Sequence, residues 1–279
     1  MSLWEGILLG IIQGLTELLP VSSSGHLVIA QSLLPNFHQP GVLFDVLLHL
    51  GTLSAVIFFF RKDITNILKA LLPPWKRQQP LSLFEHMDDS MIPERRRLAA
   101  CILTATVITG IIGLSFQDQI HALFQSVEIT AVGLLITGVL LFFADRVRSA
   151  SRSIEEISVT DSLVIGLVQG IAIMPGISRS GSTISFGIYR GLSGEAAARF
   201  SFLISIPAIL GAVILESRHY SGVNGSEIPA YIAGTAAAAI VGFLTLKFLF
   251  LMIRKRDLRF FGYYCWVLGA LTLAVKTFF

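Results

Sequence analysis

Charge is scarce in this chain: only 14% of its 279 residues are charged, against about 25% in an average soluble domain. Together with 53% hydrophobic residues and a mean hydropathy of +0.73, this excludes an ordinary water-soluble globule and makes the bilayer the expected solvent. Cysteine is almost absent. Cys101 and Cys265 sit singly inside apolar runs without CxxC spacing, which excludes a disulfide scaffold and leaves them as small apolar residues. The net charge of +3 is small and comes from basic clusters between apolar runs, so no nucleic-acid partner is expected. The opening MSLWEGILLGIIQG lacks a basic region and a small-residue cleavage site, so no removable signal peptide is expected.

What is abundant is the long apolar run. Leu98 to Phe116, Ile129 to Ala144, Phe200 to Leu215, Ala230 to Leu246 and Phe260 to Val275 each approach the length of a membrane-spanning helix, and Leu43 to Phe60 is apolar enough to make a sixth. Two further segments, Leu3 to Ala30 and Leu163 to Ile188, are apolar at both ends but broken in the middle by LPVSSSGH and MPGISRSGS. Proline, glycine and serine break a helix, and broken backbone survives at membrane depth only where protein or a polar cavity surrounds it. Each arm is too short to cross alone, so both segments are read as re-entrant helical hairpins rather than kinked spans.

A shift of 156 residues, without a gap, lays Gly10, Gln13, Gly14, Ser22, Ser24 and Gly25 over Gly166, Gln169, Gly170, Ser178, Ser180 and Gly181. It continues into the next run, setting Phe44 on Phe200 and Gly51 on Pro207. The fold class is therefore an all-α polytopic membrane protein with an inverted-topology repeat. Six transmembrane helices and two re-entrant hairpins divide into a first repeat over 1–150 and a second, inverted repeat over 151–279. Basic residues gather in the loop 61 to 97 (including Lys76 and Arg77), at Arg146, Arg148 and Arg152, and from Arg254 to Arg259. These fall on one side of the six-span arrangement, expected to be cytoplasmic. The hairpins then enter from opposite faces with tips that can meet.

Ionisable groups at membrane depth are expensive and read as functional. Gln13 and Glu17 share a helix face, followed at the break by Ser22, Ser23, Ser24 and His26; the second break supplies Ser178, Arg179, Ser180, Ser182 and Thr183. A guanidinium fork and the free N–H groups of helix starts suit a phosphate, while Ser23, His26 and Glu17 provide a nucleophile, a proton carrier and a carboxylate. Plainer readings stand beside these. The serines satisfy freed backbone groups, Glu17 and Arg179 form a structural ion pair, and His26 merely begins a helix. Asp45 and His49 are expected in supporting roles, Glu195 and Arg199 as an i,i+4 pair, and Lys247 as a snorkelling side chain.

At QGLTELLPVSSSGH (13 to 26) and PGISRSGST (175 to 183) the sequence resembles the undecaprenyl-diphosphate phosphatase family, also called bacitracin resistance proteins. The resemblance implies hydrolysis of the terminal phosphate of a polyprenyl diphosphate lipid, recycling the carrier of cell-wall synthesis. It implies a divalent cation (magnesium or calcium), a bacterial inner-membrane location, membrane lipids as surroundings and a site open to the periplasm. A homodimer is carried as a candidate assembly. It assigns Glu17 to the family's second acidic position and as a metal-ligand candidate, Ser23 to the candidate nucleophile, His26 to its histidine and Arg179 to the phosphate-binding arginine. Gln13, Ser22, Ser24, Ser178, Ser180 and Thr183 complete the expected phosphate-binding set. Gln13 replaces a frequent glutamate, which weakens any scheme with two carboxylates on the metal. A metal-activated water is the rival to Ser23, and a secondary transporter or flippase for an anionic lipid is the rival class; a channel lacks a ring of like charge.

Overall fold

The computed structural model describes residues 1–33, 42–73, 89–124, 126–216 and 225–278; Lys76 and Arg77 lie outside them. Among these residues the chain is helical without a β-strand, save one isolated bridge between Arg152 and Leu192. The helices are α1 (Leu3–Leu18), α2 (Ser23–Leu33), α3 (Val42–Phe59), α4 (Arg61–Leu71), α5 (Ile92–Ser115), α6 (Gln117–Leu123), α7 (Val127–Ala144), α8 (Val159–Ile171), α9 (Arg179–Tyr189), α10 (Gly194–Glu216), α11 (Ile228–Lys255) and α12 (Arg259–Phe278).

Local chemistry explains the boundaries. Ser2 and Glu5 form a capping box that starts α1; Leu19, forced to extended backbone by the following Pro20, ends it (ψ 151°). Ser158 and Asp161 cap α8 in the same way, and Ser178 caps α9. Proline occupies the first turn of α5 and α11, where its missing N–H costs nothing.

Helices α5, α7, α10 and α11 are long and apolar enough to cross a membrane, and α3 with α4 makes a fifth candidate. On α5, Leu103, Val107, Ile111 and Leu114 face outward while Ala105 and Thr109 are buried, the inside-out distribution of a lipid-facing helix. The chain is thus a multi-pass, all-α membrane protein. The expected run Phe260 to Val275 lies within the continuous α12. One expectation needs amending: the start of the basic loop is a helix. The chain turns by 73° after α3 into α4, whose Asp63, Ile67 and Ala70 are buried and whose Leu68 and Leu71 are exposed.

The short arms are held by close backbone approaches to helices distant in sequence. A Cβ on Gly10 of α1 would lie 2.2 Å from the Gly234 carbonyl of α11, and one on Gly166 of α8 would lie 2.8 Å from the Ala105 carbonyl of α5. Only glycine permits either contact. Phe44, Phe200, Leu48 and Ile204 fill the interior beside them, each at most 1% exposed. Away from the tips, Glu195 and Arg199 do not act as a mutual pair: Arg199 reaches Asp63 (3.4 Å) and Glu195 reaches Arg254 (3.4 Å). Lys247 lies over the Phe243 ring, 4.7 Å from its centroid.

Candidate active site

The two breaks meet. At the first, α1 ends at Leu18 and α2 begins at Ser23; at the second, α8 ends at Ile171 and α9 begins at Arg179. The Ser180 hydroxyl donates to the Leu19 carbonyl across the junction at 3.1 Å.

Glu17 is the centre of the junction and is only 9% exposed. Its Oε1 accepts from Arg179 Nη2 at 2.6 Å, and its Oε2 accepts from the Ser23 hydroxyl at 2.5 Å and from Gln13 Nε2 at 3.3 Å. His49 Nε2 stands 3.6 Å from the same Oε2. Gln13 and Glu17, one helical turn apart on α1, thus meet a serine from the next helix, an imidazole from α3 and a guanidinium from the opposite hairpin. Charge-assisted bonds are the strong kind. Two buried atoms in the cluster lack a hydrogen-bond partner among the described residues, Gln13 Oε1 and Arg179 Nη1. One is an acceptor suited to a cation, the other a donor suited to an anion.

A divalent cation fits this chemistry. One carboxylate and one unpartnered amide oxygen are adjacent, and a hard cation commonly completes its shell with substrate phosphate and water. No group of three or more His, Cys, Asp or Glu side chains that could hold a metal occurs among the described residues.

The other expected residues are placed differently. His26 does not face Ser23: its Nδ1 lies 2.7 Å from the Ser22 carbonyl and its Nε2 2.7 Å from the Tyr264 hydroxyl. Ser22 and Ser24 are linked to each other through their hydroxyls at 3.2 Å. Ser178 Oγ accepts from the Gly181 N–H at 3.0 Å, and Thr183 Oγ1 donates to the Arg179 carbonyl and contacts Ser201 Oγ at 2.6 Å. The hydroxyls of Ser178, Ser180 and Thr183 therefore have protein partners and brace the second tip. Thr137 of α7 joins them, accepting from the Ser178 N–H and donating to the Gly176 carbonyl. His49 was readable as more than supporting, because a histidine within an apolar span already carries a cost that needs a reason. Tyr264 gave no such signal, being one aromatic residue among several in α12.

A family model described as "Bacitracin resistance protein BacA" matches residues 6–271. A protein from Syntrophotalea carbinolica named undecaprenyl-diphosphatase is 44% identical over 277 residues, covering 99% of this chain and 100% of that protein. Proteins of the same name from Carboxydothermus hydrogenoformans and Alkaliphilus metalliredigens are 39% and 40% identical, over 99% and 98% of this chain and 98% of each relative.

Proposed function

The chain belongs to the bacitracin resistance protein BacA family, and on that footing we propose that it hydrolyses undecaprenyl diphosphate to undecaprenyl phosphate and inorganic phosphate. The enzyme is a membrane phosphatase that returns the lipid carrier to cell-wall synthesis and so confers bacitracin resistance. The observation that carries this reading is the division of one carboxylate, with Glu17 holding the Ser23 hydroxyl at 2.5 Å on one oxygen and Arg179 at 2.6 Å on the other.

Arg179 binds the terminal phosphate through Nη1, while Nη2 stays with Glu17. Glu17 takes the Ser23 proton as Ser23 Oγ forms a bond to the terminal phosphorus. The bond between that phosphorus and the bridging oxygen breaks, and the lipid monophosphate leaves with its electron pair. Water then cleaves the serine phosphate, releasing inorganic phosphate and restoring Ser23. Gln13 and Glu17 would hold the divalent cation, which when bound supplies positive charge to the diphosphate. The close Ser23–Glu17 contact favours serine over a directly attacking water.

The topology belongs to the same proposal: six spans and two re-entrant hairpins, with the second repeat (151–279) inverted relative to the first (1–150). Arms of 16, 11, 13 and 11 residues support the hairpins, since at 1.5 Å per residue the longest reaches only about 24 Å of a hydrocarbon core about 30 Å thick. Reciprocal packing supports the repeat, because the first arm of each half lies on a helix of the other half. The basic clusters support an opening on the periplasmic side of the inner membrane as part of this proposal.

The test is phosphate release from undecaprenyl diphosphate by the purified protein in detergent, with Ser23→Ala and a search for phosphate on Ser23. Near-normal turnover in Ser23→Ala would remove the serine route and leave the water route. No release from the unaltered protein, combined with lipid movement across sealed vesicles, would favour a transporter instead.

A further inference from the structure

Ser22, the residue immediately before Ser23, has φ +69°, a conformation that an L residue keeps only under constraint. The constraint is visible at its carbonyl, which accepts from the His26 backbone N–H at 3.3 Å and lies 2.7 Å from His26 Nδ1. With Nδ1 donating to that carbonyl, a neutral imidazole presents Nε2 as an acceptor. The Tyr264 hydroxyl of α12 stands 2.7 Å from that nitrogen, and the two rings lie within 7° of parallel. The neighbouring Cys265 Sγ sits 3.9 Å from the Pro20 carbonyl, so α12 meets the first tip at a second point.

We infer that Tyr264 is a positioning residue for Ser23: its hydroxyl fixes the orientation of the His26 ring, His26 grips the Ser22 carbonyl, and the resulting left-handed turn aims the Ser23 hydroxyl at Glu17. The inference rests on Ser23 as the nucleophile of the proposed reaction. It gives His26 a task other than carrying the serine proton, because both ring nitrogens are engaged on the side facing Ser22 and Tyr264.

The experiment compares Tyr264→Phe, His26→Asn, His26→Ala and the double variant Tyr264→Phe/His26→Ala, using the full chain in detergent with undecaprenyl diphosphate as probe. Thermal melting confirms that each variant is folded. Tyr263→Phe serves as a control, since Tyr263 packs on Phe142 and Trp266 away from the tip. Tyr264→Phe is expected to lower kcat about tenfold with KM within about twofold, as befits a lost positioning bond to a group that does not touch the phosphate. Asparagine offers an N–H near the place of Nδ1, so His26→Asn should retain at least about ten times the kcat of His26→Ala. The double variant should be no slower than His26→Ala, because both changes cut one chain of contacts. The inference is overturned by wild-type kcat in Tyr264→Phe, by independent multiplication of the two losses, or by His26→Asn as inactive as His26→Ala. An unaltered protein that releases no phosphate overturns the phosphatase reading and this inference with it.

Discussion

At the first tip Ser22 takes φ +69° and its hydroxyl lies 3.2 Å from Ser24. At the second tip Ser178, its counterpart 156 residues on, has φ −73° and caps α9 through the Gly181 N–H. The glutamines diverge similarly: Gln13 Nε2 donates to Glu17, whereas Gln169 Nε2 donates to Thr109 Oγ1 at 3.0 Å. The second tip also places its positive φ, +81°, on Gly176, where it costs nothing. One tip is strained around reactive groups; the other is a relaxed, capped mount that holds out a single guanidinium. Retained residues have thus been given different work, and the proposed nucleophile sits beside the strained residue.

This contrast can be broken in several places. The largest effect is expected from Glu17→Gln, which keeps shape but removes the proton acceptor and the partner of Arg179; phosphate release should fall about 10²–10⁴-fold. Arg179→Lys retains the charge but loses the fork, and release should fall roughly 10²–10³-fold with secondary structure intact by circular dichroism. Activity within threefold of the unaltered protein would mean, for Arg179→Lys, that the first tip works without its partner and, for Glu17→Gln, that this carboxylate is not the proton acceptor. Gly176→Ala tests the mount. Its Cβ would lie 1.9 Å from the Thr130 carbonyl at a left-handed φ, so a loss of more than about 2 kcal/mol is expected in thermal or denaturant melts. Ser22→Gly should by contrast stay within about 1 kcal/mol of the original, relief of strain offsetting added chain freedom. The smallest effect sharpens the comparison most. Ser178→Ala should cost about 1 kcal/mol through the lost cap, and Ser22→Ala distinctly less; equal costs would show that both serines cap.

Much of the candidate site was legible because membrane depth makes polar residues conspicuous: Glu17, Ser23, Arg179 and Gln13 stand out in apolar surroundings, and the last three each contact Glu17. Phe44 and Phe200, which the 156-residue shift superimposes, are both buried. Geometry within the tips was not legible. Nothing in SSSGH shows that Ser22 is left-handed, and that one dihedral directs His26 to a carbonyl and to Tyr264 rather than to Ser23. Spacing also misled at Glu195 and Arg199, because i,i+4 proximity competes with tertiary partners that no local pattern reveals. The amphipathic α4 was hidden by its charges, which read equally well as a loop.

The Glu17–Arg179 bond spans 162 residues, which gives the fold a schedule. Ribosomes add roughly 5–20 residues per second, so the carboxylate is made on the order of 8–30 s before its guanidinium. During that interval the first hairpin must rest on its own Gln13 and Ser23 contacts, and later on His49. Tyr264 and Cys265 arrive later still. Closure of the junction between the two tips is therefore among the last events of biogenesis, and a nascent chain stalled before the second hairpin carries Glu17 without its guanidinium partner.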